Sequence, residues 1–275
     1  GAHTAAYWSV SLPYQMLFFQ RWFARNAPQA AAPAKGLRVV FMGDSITDGN
    51  WGKADGKPSS ERNLWDRNHL YGSGYMYLCA TYYQSSFPDR DYRFFNRGVG
   101  GHALSDLAAR WQEDVLDLRP DVLSVFIGTN DVERHLRKLL RADDPQAVPD
   151  FDFAAWEKTY RSLLDKAREA NPALKIVLCT PFAAPCGKIV EGALGAYYPL
   201  RQRMLARCCE AVERIAADYG ATLVPFHRLI AGLESRLPNG DATYWVWDGI
   251  HPTPAGQRRM ADCWIGTVAR SGAME

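Results

Sequence analysis

Leu37-Arg38-Val39-Val40-Phe41-Met42-Gly43-Asp44-Ser45-Ile46-Thr47-Asp48-Gly49 decides the fold, because a buried strand runs straight into a glycine-flanked turn that carries a serine. Working outward, short apolar runs return at residues 92–96, 122–127, 175–179 and 222–225, and each reads as a strand. Between them lie stretches with helical spacing. Residues 103–118 place Leu104, Leu107, Ala108, Trp111, Val115 and Leu118 at helical intervals before Pro120, and residues 153–170 and 200–219 read the same way. A closing helix over 254–268 has Thr253 as its N-cap and Pro254 at the first helical position, where a missing N–H costs nothing. Strand and helix in alternation require parallel pairing, since a parallel crossover needs a helix-length connection. The sequence therefore predicts a three-layer, doubly wound α/β sandwich around a central, mostly parallel sheet of about five strands. Ligands of such sheets bind at the carboxyl ends of the strands, so the residues just after each strand are the ones to inspect.

Composition removes several function classes. The 275 residues carry 32 basic and 30 acidic side chains, a net charge of +2, too little for the broad positive field of a nucleic-acid binder. No stretch approaches the roughly 18 uninterrupted apolar residues of a membrane span. Nucleic-acid and membrane partners are thus not expected, and a homo-oligomer stays open. The six cysteines form no C-x-x-C pair, so buried thiols are expected, with a Cys179–Cys186 bridge left open for an oxidising compartment. The chain starts Gly1-Ala2-His3, which fits a processed or engineered start. A periplasmic or secreted location follows if a signal peptide has been removed, and a cytoplasmic one otherwise. Residues 1–34 read as an aromatic extension (Tyr7, Trp8, Tyr14, Phe18, Phe19, Trp22, Phe23) followed by a Pro/Ala linker, with the main domain over 35–275.

Four short motifs stand at the predicted functional edge. Ser45 sits in a strand-to-helix turn, although Thr47 stands where the G-x-S-x-G elbow has its second glycine. Asp248-Gly249-Ile250-His251-Pro252 offers a base, and its spacing lets a carboxylate accept from Nδ1–H while Nε2 faces a serine. Asn96-Arg97-Gly98-Val99-Gly100-Gly101 and Gly128-Thr129-Asn130-Asp131 bring a backbone N–H and a side-chain amide to the same edge, the donors an oxyanion hole needs. Singly, each motif has a plain structural use as a cap, a turn or a loop hydrogen bond.

Together and in this order, the four blocks resemble the SGNH, or GDSL, hydrolase superfamily, over roughly residues 37–269. Trp111-Gln112-Glu113-Asp114-Val115, Arg119-Pro120-Asp121-Val122, Ile127-Gly128-Thr129-Asn130-Asp131-Val132 and Trp247-Asp248-Gly249-Ile250-His251-Pro252 are similar to the branch containing bacterial acetylxylan esterases. The resemblance implies a flavodoxin-like fold with Ser45 as nucleophile, His251 as general base and then acid, and Asp248 as its orienter. It also implies oxyanion donors from the Ser45 N–H, the Gly101 N–H and the Asn130 amide. The expected activity is hydrolysis of O-acetyl esters on a plant polysaccharide or oligosaccharide, such as acetylxylan, through an acyl-serine. Two alternatives remain: a short-chain carboxylesterase, thioesterase or lysophospholipase of the same superfamily, and a non-catalytic carbohydrate-binding protein. The chain departs from the pattern at Glu133 and Arg134, where a tryptophan is expected after Val132.

Trp51, Trp65 and Trp247 are the candidate sugar-stacking residues, with loop packing as the other use of Trp51 and Trp65. Residues 183–199 contain Gly187, Gly192 and Gly195 and read equally as a lid or a plain connection. Asp66 and His69 would make a metal pair but lack a third ligand nearby, so no metal and no cofactor are expected.

Overall fold

The structure is a computed structural model that describes residues 36–49 and 71–275. Five strands, β1 (Arg38–Gly43), β2 (Arg93–Gly98), β3 (Val122–Phe126), β4 (Lys175–Cys179) and β5 (Thr222–Val224), pair wholly in parallel in the order β2-β1-β3-β4-β5. That is the doubly wound order with a reversal between β1 and β3, where a crevice opens at the carboxyl ends. Along β1 the alternation of side chains sends Val39 and Phe41 to one face and Val40 and Met42 to the other, and both sets are fully buried.

The helices, in chain order, are α1 (Ser45–Asp48), α2 (Tyr75–Ser86), α3 (Leu104–Ala109), α4 (Thr129–Arg141), α5 (Phe153–Ala170), α6 (Lys188–Glu191), α7 (Tyr198–Asp218), α8 (Phe226–Glu234) and α9 (Pro254–Ser271). Phe41 meets α2, α8 and α9 in one core, where Trp264 of α9 lies 4.9 Å from its ring and donates from Nε1 to Ser124 Oγ on β3 at 3.0 Å. Val40 and Met42 meet α3, α4, α5 and α7 in the other.

Two points change in detail. The helix read over 103–118 breaks after Ala109 and resumes as a π-turn over Gln112–Leu116. The widened turn carries Asp114, fully buried, between the Arg97 and Arg110 guanidiniums at 3.1 and 2.5 Å, while Arg110 also donates to the Gly43 and Arg97 carbonyls. A local tertiary demand thus overrides the helical pattern. Secondly, α2, α4 and α8 are helices for which the sequence carries no helical reading. In α2 the outward face still carries Tyr77 and Tyr82, so no polar stripe marks its amphipathicity. The expected thiols are found: all six cysteines are free and all but Cys263 are buried, Cys179 facing Ser124 Oγ and Cys186 donating to the Val246 carbonyl at 2.8 Å. The expected extension over residues 1–34 lies outside the described residues. Among the described residues, no helix is long and apolar enough to cross a membrane.

Candidate active site

At the end of β1 the Asp44 side chain caps α1 by accepting from the Ile46 N–H at 3.0 Å, which leaves Ser45 as the first helical residue. This turn is not the usual elbow, and Thr47 shows why. Its hydroxyl packs where a Cβ on Gly43 would fall, 2.2 Å away, and contacts the Tyr75 hydroxyl at 3.2 Å. From β2, Asn96 closes the other side of α1: its amide donates to the carbonyls of Thr47, Asp48 and Tyr71 at 3.0, 3.2 and 3.0 Å. Gly98 lies so close that an added Cβ would stand 2.2 Å from the Asp48 nitrogen. The serine turn is therefore fixed by strand register and close backbone approach.

The Asp248–His251 pair arrives from the far end of the chain. Ser45 Oγ lies 2.8 Å from His251 Nε2, and His251 Nδ1 lies 2.8 Å from Asp248 Oδ2. An ionised carboxylate can only accept, so Nδ1 carries the hydrogen and Nε2 is left to accept from the serine hydroxyl. The other Asp248 oxygen, Oδ1, accepts the His251 and Ile250 backbone N–H groups at 2.7 and 3.0 Å. Burial works against the charge on Asp248, but bonds from His251, its backbone N–H, Lys188 and Ile250 outweigh it and hold the carboxyl well below the usual carboxylate range. Asp44 behaves in the opposite way. Desolvation pushes its carboxyl up to about 7, with the Ile46 N–H and the nearby His251 only partly compensating.

The candidate oxyanion donors lie at three strand ends. Gly100 passes beside Ser45, with a built Cβ 3.8 Å from the Ser45 Cβ, and Gly101 has φ +77° with open space where a side chain would be. Neither the Ser45 nor the Gly101 N–H is taken up by another group among the described residues. Asn130, in the first turn of α4, donates to the His102 carbonyl at 3.0 Å and points at Asp44 Oδ2 from 3.4 Å. Its neighbour Asp131 has a structural task, accepting from the Leu104 N–H and from Trp156 Nε1, each at 3.0 Å.

Trp247 is 57% exposed and its ring lies nearly parallel to that of His251, 25° apart with centroids at 6.2 Å. Trp51 and Trp65, like Asp66 and His69, lie outside the described residues. Among the described residues no group of three His, Cys, Asp or Glu could hold a metal.

Several neighbours of the site escaped the sequence reading. Arg134 donates to the Gly101 carbonyl at 2.6 Å and pairs with Asp106 at 2.5 Å, tying the glycine turn to α4. Glu133 is buried against Arg201 of α7, and Arg201 in turn donates to the Ile189 carbonyl at 3.1 Å. The two departures at Glu133 and Arg134 are thus both ties to segments bordering the site. Lys188 lies 2.6 Å from Asp248 Oδ2. Single charged residues of this kind carry no periodic signal, because their meaning lies in a partner far along the chain.

A serine hydroxyl hydrogen-bonded to an imidazole that a carboxylate orients, beside open N–H donors at a switch point of a parallel sheet, defines a serine hydrolase. The profile of the GDSL-like lipase/acylhydrolase family matches residues 41–259, and the chain belongs to that family. It is a carboxylic ester hydrolase. It is 30% identical over 234 residues to an acetylxylan esterase of Geobacillus stearothermophilus, covering 85% of this chain and 94% of that protein. The solved structure of the G. stearothermophilus acetylxylan esterase superposes with a TM-score of 0.66, covering 86% of this chain and 95% of that one. An α/β hydrolase from the metagenome of Lake Arreo, Spain, superposes with a TM-score of 0.67 at 29% identity over 88% of this chain and 98% of that one. An acetylxylan esterase of Xylanibacter ruminicola is 28% identical over 82% of this chain and 42% of its own length.

Proposed function

We propose that this esterase removes acetyl groups from the hydroxyls of xylan-type polysaccharides or oligosaccharides through an acetyl-Ser45 intermediate. The Ser45–His251–Asp248 line of two 2.8 Å hydrogen bonds carries the reading, and the acetylxylan esterase relatives supply the substrate class. Ser45 Oγ attacks the acetyl carbonyl as its proton passes to His251 Nε2, while Asp248 stabilises the imidazolium that forms. Negative charge then gathers on the former carbonyl oxygen, which the Ser45 N–H and the Gly101 N–H receive, joined by the Asn130 amide hydrogen that turns from its long 3.4 Å contact with Asp44 Oδ2; one such donor is worth about 3 kcal/mol. His251 returns the proton to the departing sugar oxygen. Water, deprotonated by the same imidazole, attacks the acetyl-serine and releases acetate. The exposed face of Trp247 gives a sugar ring a stacking surface beside the histidine.

Acetate release from acetylated xylo-oligosaccharides, beside aryl acetate and aryl octanoate esters, tests the reading. The parent enzyme releases acetate from the sugar and rejects octanoate. Ser45→Ala lowers kcat by about 10⁴-fold or more. Aryl-acetate turnover without sugar deacetylation would keep the serine chemistry and discard the glycan substrate.

A further inference from the structure

The segment between β4 and α7 is neither a free lid nor an idle connection, because it is fastened at successive points to the loop that carries the base. The Ala184 N–H donates to the Gly249 carbonyl at 2.9 Å, and Cys186 Sγ donates to the Val246 carbonyl at 2.8 Å. Gly187, at φ +60°, lies so close that an added Cβ would stand 2.6 Å from the Asp248 Cα. Ile189 fills the space where Gly249 lacks a side chain, with Cγ1 2.3 Å from a built Cβ, and its carbonyl is held by Arg201. Between these fixed points stands Lys188, whose ammonium is 2.6 Å from Asp248 Oδ2 and lies over the Trp247 ring, 5.8 Å from its centroid.

We propose that Lys188 is a positioning residue of the base relay, locking the Asp248 carboxylate through the oxygen that holds His251 and setting the lower pH limit of activity. This rests on the serine-esterase reading above and extends it to a residue outside the Ser/Gly/Asn/His set. The Asp248 side chain is 2% exposed, so its charge requires partners, and the backbone N–H groups occupy Oδ1 alone. Lys188 adds the second donor at Oδ2, which otherwise answers only to the imidazole. Its charge has a consequence for the proton. A carboxylate beside an imidazole favours the protonated ring, and a cation on the same oxygen offsets part of that attraction. Among the described residues, the other ionisable groups facing this pair are Asp44 at the end of β1, which acts on His251, and the Cys186 thiol, which acts on Asp248 and has Glu191 and Glu234 as its own neighbours. Lys188 is the cation of this set among the described residues.

The test is the pH profile of kcat/KM on an aryl acetate from pH 5 to 9, for the parent enzyme and the Lys188→Met and Lys188→Arg variants, with folding followed by circular dichroism. An aryl ester keeps the result independent of the glycan assignment. Lys188 is half-exposed and outside the core, so the methionine variant retains the fold. The acid limb of Lys188→Met moves up by about half to one pH unit, so the loss at pH 6 exceeds the loss at pH 8, and Lys188→Arg restores the parent limb. An acid limb that stays in place or moves down, or a loss uniform across the range, overturns the proposal and reduces Lys188 to a structural contact. Ser45-independent hydrolysis by the parent would instead overturn the underlying esterase reading.

Discussion

Two buried aspartates flank the same serine–histidine pair and carry their charges in opposite ways. Asp44 and Asp248 are each 2% exposed, yet Asp44 is pushed up to about 7 while Asp248 is held well below the usual range. Burial acts on both in the same direction, so the difference lies in their donors. Asp44 has one firm donor, the Ile46 N–H, and the Asn130 amide only at 3.4 Å. Asp248 has two backbone N–H groups, an imidazole and an ammonium. A buried carboxyl keeps its charge where several donors converge on it and otherwise retains its proton. The carboxyl on the serine side is thus governed by burial, whereas the one on the base side is governed by hydrogen bonds and charge.

The strongest way to break that contrast is Asp248→Asn. The amide presents a donor to His251 Nδ1, which favours the tautomer with its hydrogen on Nε2, where it cannot accept from Ser45. A fall of about 10⁴-fold in kcat at unchanged fold is expected, and near-parent turnover on an aryl acetate would show that the carboxylate is dispensable. On the serine side the effect falls on stability. Because the folded pKa of Asp44 stands above its ordinary 3.8, the folded chain keeps a proton that the unfolded chain releases. Its contribution is complete below pH 3.8 and is lost as pH rises to about 7. Asp44→Asn keeps the cap on Ile46 without the titration, so the variant avoids a loss of about 4 kcal/mol that the parent suffers between pH 4 and 8. Urea unfolding at both pH values checks this, and equal losses in parent and variant would erase the contrast. The smallest effect belongs to Arg134→Ala. Arg134 is 45% exposed and reaches the donor turn through the Gly101 carbonyl, so kcat falls less than about tenfold, with KM for an aryl acetate little changed. A larger loss would give the Arg134 charge a part in the chemistry on the serine side.

The serine side was the more legible in the sequence. Ser45, Gly101 and Asn130 each follow a strand whose apolar run marks it, and parallel register brings those strand ends to one edge. Asp248 and His251 were legible as a local pair, since three residues on a tight loop are enough to join carboxylate and imidazole. Their support was not. The stretch over 183–199 read equally as lid or connection, and only contacts such as Cys186 to Val246 settle it as a packed brace. Glu133 and Arg134 appeared only as departures from a pattern, because neither Arg201 nor Gly101 can be matched to them by spacing.

By itself the sequence determined the alternating elements, the doubly wound parallel sheet and the order of the four motifs, because hydrophobic period and turn chemistry are local properties of the chain. The tertiary structure alone decided the break at Arg110, the ionisation of the two aspartates and the place of Lys188 on Asp248. Each of those depends on which charges, donors and backbones meet across long separations, and on how much water is excluded where they meet.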